Sequence, residues 1–125
     1  MADTGTTQDT SNHTTVYVYD PATKQWSTAA PLPLPLGHIG PATATDGRYI
    51  YVTGGQTNDP TYRHLVSNAE RFDPIANRWD ALTPMPVERM SDMNAVVNGK
   101  LIFTGGNKLT SAPYIANDTW VGTFA

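Results

Sequence analysis

The stretch GRYIYVTGGQTNDPTYRHLVSNAERFDPIANRW, residues 47–79, decides the fold. Asp46-Gly47 at its start is a turn signal, Tyr49-Ile50-Tyr51-Val52 reads as an apolar strand, and Gly54-Gly55 ends it. A polar loop, Gln56 to Ser67, follows, and the chain re-enters at Asn68-Ala69-Glu70-Arg71-Phe72. Asp73-Pro74 then turns the chain, since proline presets φ and an aspartate side chain bonds the backbone two residues on. Trp79 follows on the next strand.

Working outward, the same signals return in the same order. Upstream, Val16-Tyr17-Val18-Tyr19 is a strand broken by Asp20-Pro21, and a second strand around Gln25 to Ala29 carries Trp26. Asp20-Pro21 and Trp26 recur as Asp73-Pro74 and Trp79 at an offset of 53, and Pro31-Leu32-Pro33 recurs as Pro84-Met85-Pro86 at the same offset. Asp46-Gly47 pairs with Asn98-Gly99 at 52, and Thr53-Gly54-Gly55 with Thr104-Gly105-Gly106 at 51. Asp46-Gly47 suits a two-residue type I′ hairpin turn. The run Pro31 to Pro35 cannot pair inside a sheet and reads as an extended connector. His38 to Thr45 reads as a strand that Pro41 makes irregular. A period near 50 residues, with four short strands and turn chemistry in each, is the signature of propeller blades.

Tyr/Phe-Asp-Pro, Trp, Pro-x-Pro, (Asp/Asn)-Gly and an apolar strand into Gly-Gly, in that order, resemble the kelch repeat over residues 16–106. Arg89 falls where many kelch repeats place an arginine, while Leu36 holds that spot in the first copy. A partial third copy begins at Asn117-Asp118-Thr119-Trp120, where Gly122-Thr123 replaces the expected Tyr-Asp. With blade strands labelled A to D from the centre, the resemblance implies an all-β propeller segment running C-D-A-B-C-D-A-B-C, about two four-stranded blades. It occupies residues 16–125 behind a polar, flexible leader over 1–15. A ring takes about 4–8 blades, so the segment is incomplete as a ring, and its strands are apolar on both faces. Three expectations follow: the remainder of a longer propeller completes it, copies assemble as a homo-oligomer, or the chain is a degraded gene product.

Composition restricts the chemistry. The 125 residues are 39% hydrophobic with ten glycines, ten prolines, no cysteine and a net charge of −3. That proline content opposes long helices. Without a basic run, nucleic acid is a poor partner, and neither a signal peptide nor an apolar run long enough to cross a membrane is present. A soluble chain is expected, with the cytoplasm favoured. His13, His38 and His64 show no metal-ligand spacing, the acidic residues are scattered, and no serine-nucleophile motif occurs. No catalytic residue, metal or cofactor is therefore assigned. Gly54, Gly55, Gly105 and Gly106 lack a phosphate-loop frame and read as places where backbones approach closely. Trp26 and Trp79 read as packing anchors between blades, and Asp20 and Asp73 as turn formers. Asn12-His13-Thr14 and Asn117-Asp118-Thr119 match the glycosylation triplet, which such a Thr- and Asn-rich chain produces by chance.

The resemblance also implies where partners bind. Kelch propellers gather the B-to-C and D-to-A loops on one rim, which here would collect Tyr62, Arg63, His64, Arg89, Lys108 and Tyr114. Tyrosine and arginine dominate binding hot spots. The leading expectation is a non-catalytic module that binds a protein or peptide. The alternative is a subunit or fragment of a sugar-acting kelch enzyme. The copper-oxidase version needs a cysteine this chain lacks, whereas a sialic acid mutarotase-like site needs a closed ring.

Overall fold

The computed structural model describes residues 12–58, 63–108 and 113–123. All its named elements are strands: β1 (Val16–Asp20), β2 (Gln25–Ala29), β3 (Thr43–Thr45), β4 (Ile50–Thr53), β5 (Gln56–Asn58), β6 (Arg63–Leu65), β7 (Ala69–Asp73), β8 (Arg78–Ala81), β9 (Met93–Val97), β10 (Lys100–Thr104) and β11 (Thr119–Thr123). One complete antiparallel blade, β3-β4-β7-β8, lies between a two-stranded blade β1-β2 and a three-stranded blade β9-β10-β11. Strand order is therefore C-D, then A-B-C-D, then A-B-C, a segment of a β-propeller. Among the described residues no helix is long and apolar enough to cross a membrane.

The repeat is visible in the register. Tyr19 pairs with Trp26 in the first blade and Phe72 with Trp79 in the central one, the same hairpin displaced by 53 residues. The turn aspartates take the same role: Asp20 Oδ1 accepts from Ala22 N at 2.8 Å, and Asp73 Oδ1 accepts from Ile75 N at 2.8 Å and Ala76 N at 3.0 Å. Residues directly paired across strands share a face and alternate ones oppose. One face of each blade, here the aromatic face, thus carries Tyr17, Tyr19 and Trp26 in the first blade. It carries Val52, Glu70, Phe72 and Trp79 in the central blade, and Asn94, Leu101, Phe103, Trp120 and Gly122 in the last.

Blades stack aromatic face onto opposite face. Trp79 Nε1 donates to the Ala30 carbonyl at 2.9 Å, and Ala30 N donates to Asn77 Oδ1 at 2.8 Å, joining the first blade to the central one. At the second seam, Asn94 Nδ2 donates to the Ala42 carbonyl and to Thr53 Oγ1, each at 2.7 Å. The core lies in these seams, where Tyr51, Val52, Phe72, Leu101 and Phe103 are buried.

Several details differ from the sequence reading. The strand expected over His38 to Thr45 is regular only from Thr43. His38 has a φ of 56°, and Ala42 N closes a local turn onto the Ile39 carbonyl. Asp46-Gly47 is not a type I′ turn. Thr45 pairs with Ile50, so the bend falls at Gly47-Arg48, with positive φ at Gly47 alone, while Asp46 Oδ1 accepts from Arg48 N and Tyr49 N. The Asp46 side chain, which type I′ geometry does not use, thus shapes the bend. Asn98-Gly99, with φ of 49° and 71°, does form the I′ pattern between Val97 and Lys100. The two hairpins thus align at 51, one residue off the apparent motif match. The loop expected from Gln56 to Ser67 contains the β5-β6 hairpin. At the N-terminus, residues 1–11 of the expected leader lie outside the described residues. Asn12 Nδ2 donates to the Gln56 carbonyl at 2.6 Å, and the Thr14 carbonyl accepts from Leu32 N at 2.8 Å.

Candidate functional site

The B-to-C loops and the D-to-A connectors meet at one end of the blades and are laced together by backbone bonds. Gly37 pairs with Gln56, and Met90 pairs with Asn107, bridges that occupy equivalent places in successive repeats. Gly55 N donates to the Arg89 carbonyl at 2.8 Å, and Met85 N to the Ser67 carbonyl at 2.7 Å. Close approach at this lacing is what demands the glycines. A Cβ on Gly54 would stand 2.3 Å from the Arg89 carbonyl oxygen, and one on Gly106 would stand 2.8 Å from the Met90 oxygen.

On this rim, Arg63 and His64 lie on β6, where His64 pairs with Thr57 and is exposed. Lys108 N donates to the Tyr114 carbonyl at 2.7 Å, and Ala116 N to the Gly106 carbonyl at 2.9 Å. That clasp holds Tyr114 (58% exposed) and Ile115 (73% exposed) out in water. Ile115 is a rim residue that the sequence reading missed, because a lone isoleucine in a loop carries no periodic signal. Tyr62 lies outside the described residues.

Arg89 does not belong with these exposed groups. It is 3% exposed, and its Nη2 donates to both carboxylate oxygens of Asp118 at 2.8 Å. Asp118 also accepts from Trp120 Nε1 at 2.8 Å, and that bond, ahead of the Arg89 charge, holds its carboxyl below the usual range. Arg89 is therefore an internal tie between the second D-to-A connector and the start of β11, because its long stem runs under the rim rather than across it. Trp26 departs too. Its counterpart Trp79 meets the preceding blade, whereas Trp26 stands 67% exposed.

Beneath the rim, the second seam contains a polar cluster that the sequence did not flag. Thr53 Oγ1 donates to Asp92 Oδ2 at 3.0 Å and accepts from Asn94 Nδ2. Asp92 is fully buried, its Oδ1 has no hydrogen-bond partner among the described residues, and burial pushes its carboxyl up. The available signal was a break in the repeat: Asp92 stands 53 residues after Ile39, as Arg89 stands 53 after Leu36. Sealed from solvent, Asp92 cannot meet a substrate. Tyr51, in the same seam, is pushed up to about 12, first by burial and then by donating to Asp46 Oδ2.

Toward the outer strands the second seam opens into a cleft of about 440 Å³ between the Leu82–Pro86 connector and Leu101, Phe103 and Trp120. Among the described residues no group of three or more His, Cys, Asp and Glu could hold a metal ion. The rim presents Tyr114, Ile115 and His64 as exposed side chains on a backbone held by the lacing bonds.

A family model described as the kelch motif matches residues 5–33 and 39–86, more than half of the chain. Kelch-like protein 15 of Danio rerio is 35% identical over 91 residues, which cover 73% of this chain and 14% of that protein. Beta-scruin of Limulus polyphemus is 32% identical over 109 residues, covering 85% of this chain and 12% of its relative. The chain thus spans a small part of the curated relatives it matches. Among solved structures, that of YjhT superposes with a TM-score of 0.62 at 24% identity, over 76% of this chain and 28% of that one, a likeness of fold.

Proposed function

The chain belongs to the kelch-repeat family, and on that premise we propose that it is a non-catalytic interaction module whose loop rim binds a protein or peptide. The observation that carries the reading is the clasped loop between Gly105 and Asp118. Its described flanks are joined by bonds from Lys108 N to the Tyr114 carbonyl and from Ala116 N to the Gly106 carbonyl, and Tyr114 and Ile115 stand out in solvent. A preordered aromatic costs little entropy to bind, which is what hot-spot residues require. His64 and Arg63 on β6 and Lys108 on the clasp add basic or polar character suited to acidic or polar groups on a partner. Arg89 supports the rim from below and makes no direct contact with a partner in this reading.

The test selects peptides from a displayed random library on the immobilised chain, then measures their affinity for variants. Enriched peptides should bind Tyr114→Ala at least tenfold more weakly, while Ile75→Ala, at the opposite end of the blades, should leave binding unchanged. Binders that ignore Tyr114, Lys108 and His64 alike would overturn the rim assignment.

A further inference from the structure

The A-to-B hairpin tips carry closely related dipeptides, Asp46-Gly47 in the central blade and Asn98-Gly99 in the last. Both tips are exposed. The central blade is bonded to a neighbour on each side, so exposure here belongs to the end of a blade and not to where the chain stops. The two side chains stand in different settings. Asp46 Oδ1 accepts from Arg48 N at 2.8 Å and Tyr49 N at 2.7 Å, and its Oδ2 accepts from Tyr51 Oη at 2.8 Å. These bonds, the Tyr49 amide first, hold its carboxyl below the usual range. The Asn98 side chain has no hydrogen-bond partner among the described residues, and a Cβ placed on Gly99 would meet nothing within 4 Å. Every other asparagine precedes a residue whose side chain screens the following amide nitrogen.

We infer that Asn98-Gly99 is a site of spontaneous covalent modification, where asparagine converts to aspartate and isoaspartate, and that Asp46-Gly47 is protected from the same ring closure. Base removes the proton of Gly99 N, and that nitrogen attacks Asn98 Cγ. The new N–Cγ bond closes a succinimide ring as the side-chain amide leaves as ammonia, taking a proton from solvent. Water then opens the ring at either carbonyl, leaving aspartate or, with the main chain rerouted through the side-chain carbon, isoaspartate. The net change is uptake of one water and loss of one ammonia. Ring closure requires the Asn98–Gly99 peptide to rotate. Glycine is the residue least opposed to that, and the open space around Gly99 leaves only the turn itself to resist. At Asp46 the same rotation would break three hydrogen bonds, and a carboxylate kept ionised is a poor electrophile. Isoaspartate adds a main-chain carbon to a loop whose I′ pattern needs two ordinary residues between Val97 and Lys100. Modification therefore loosens the β9-β10 turn, at the end of the blades opposite the rim and independently of what the rim binds.

The test incubates the whole chain in neutral buffer made with heavy-oxygen water and maps its peptides by mass spectrometry over time. Asn98 should take up heavy oxygen and yield isoaspartate at least tenfold faster than any other asparagine. Asp46→Asn places the same Asn-Gly dipeptide in the central blade, where the side-chain oxygen still accepts from Arg48 N and Tyr49 N. In that variant, position 46 should react at least tenfold more slowly than Asn98, and the two should react alike once the chain is denatured. Circular dichroism checks that the variant keeps its fold. Should it not, wild type supplies the comparison, because a succinimide formed at Asp46 also takes up heavy oxygen when it reopens. An Asn98 no faster than the other asparagines, or equal rates at the two folded tips, would overturn the inference.

Discussion

The hairpins β1-β2 and β7-β8 are nearly the same object in two settings. Their registers match at an offset of 53, an aspartate caps each turn, and their paired rings sit at the same 5.1 Å separation, tilted by 46° and 39°. Yet Phe72 is buried and Trp79 bonds a neighbouring blade, while Tyr19 and Trp26 face water. Local geometry is thus a property of the hairpin, and burial is a property of what stands beside it. The same tryptophan is half-buried against a neighbouring blade or exposed to water according to what stands beside it.

The comparison breaks most visibly at the indoles. Trp79→Ala should cost about 3–5 kcal/mol in chemical denaturation, the range for a large aromatic removed from packing. Trp26→Ala should stay within ~1 kcal/mol under conditions where the chain is monomeric, as exposed substitutions do. Equal losses would mean the two hairpins are not in different settings.

Next in size is the tie at the second seam. Asp118→Ala leaves the Arg89 guanidinium buried without its carboxylate, and should cost ~3 kcal/mol. Replacing both residues, Arg89→Leu with Asp118→Asn, copies Leu36 and Asn68 of the preceding repeat and should recover much of that loss. No recovery would show that the two seams differ by more than this pair.

The glycines sharpen the contrast further. Gly54→Ala meets the Arg89 carbonyl and should cost more than ~2 kcal/mol, whereas a Cβ on Gly105 finds nothing closer than 3.7 Å. Gly105→Ala should then cost only the ~1–2 kcal/mol of a side chain at positive φ.

The smallest effect is on pH dependence. Asp92 has its carboxyl pushed up in the folded chain, so the native state binds more protons than the unfolded one above the ordinary aspartate range. Its contribution therefore makes stability fall as pH rises through that window. The opposite trend comes from Asp73, held low first by Arg48, and Asp46, held low first by the Tyr49 amide: their contribution is lost as pH falls below the ordinary range. Denaturation midpoints of wild type and Asp92→Asn between pH 4 and 7 should separate the two, with the variant lacking the part of the wild-type curve that falls as pH rises. Parallel curves would place the titrating group elsewhere.

Much of this was legible in the chain because it is written twice. Asp-Pro, Trp and Pro-x-Pro recur at one offset, and turn chemistry is local, so strand order could be read directly. The hairpin offset was misjudged by one residue for the same reason: matching Asp46-Gly47 to Asn98-Gly99 compares letters, while register compares hydrogen bonds, and the Asp46 side chain shapes a different bend. The rim was legible only in part. Tyr114 and His64 are exposed, but Arg89 is a tie within the seam, and nothing local distinguishes an arginine that reaches out from one that reaches in.

By itself the sequence determined the repeat and the order of the blade strands, since these depend on φ preferences and alternation over a few residues. Only the tertiary structure decided which equivalent residues are core and which are surface, which charge pairs with which, and where the polar cluster of Asp92, Thr53 and Asn94 is sealed. Those outcomes depend on groups 25 to 52 residues apart being brought within 3.0 Å of one another, and no short-range pattern records that meeting.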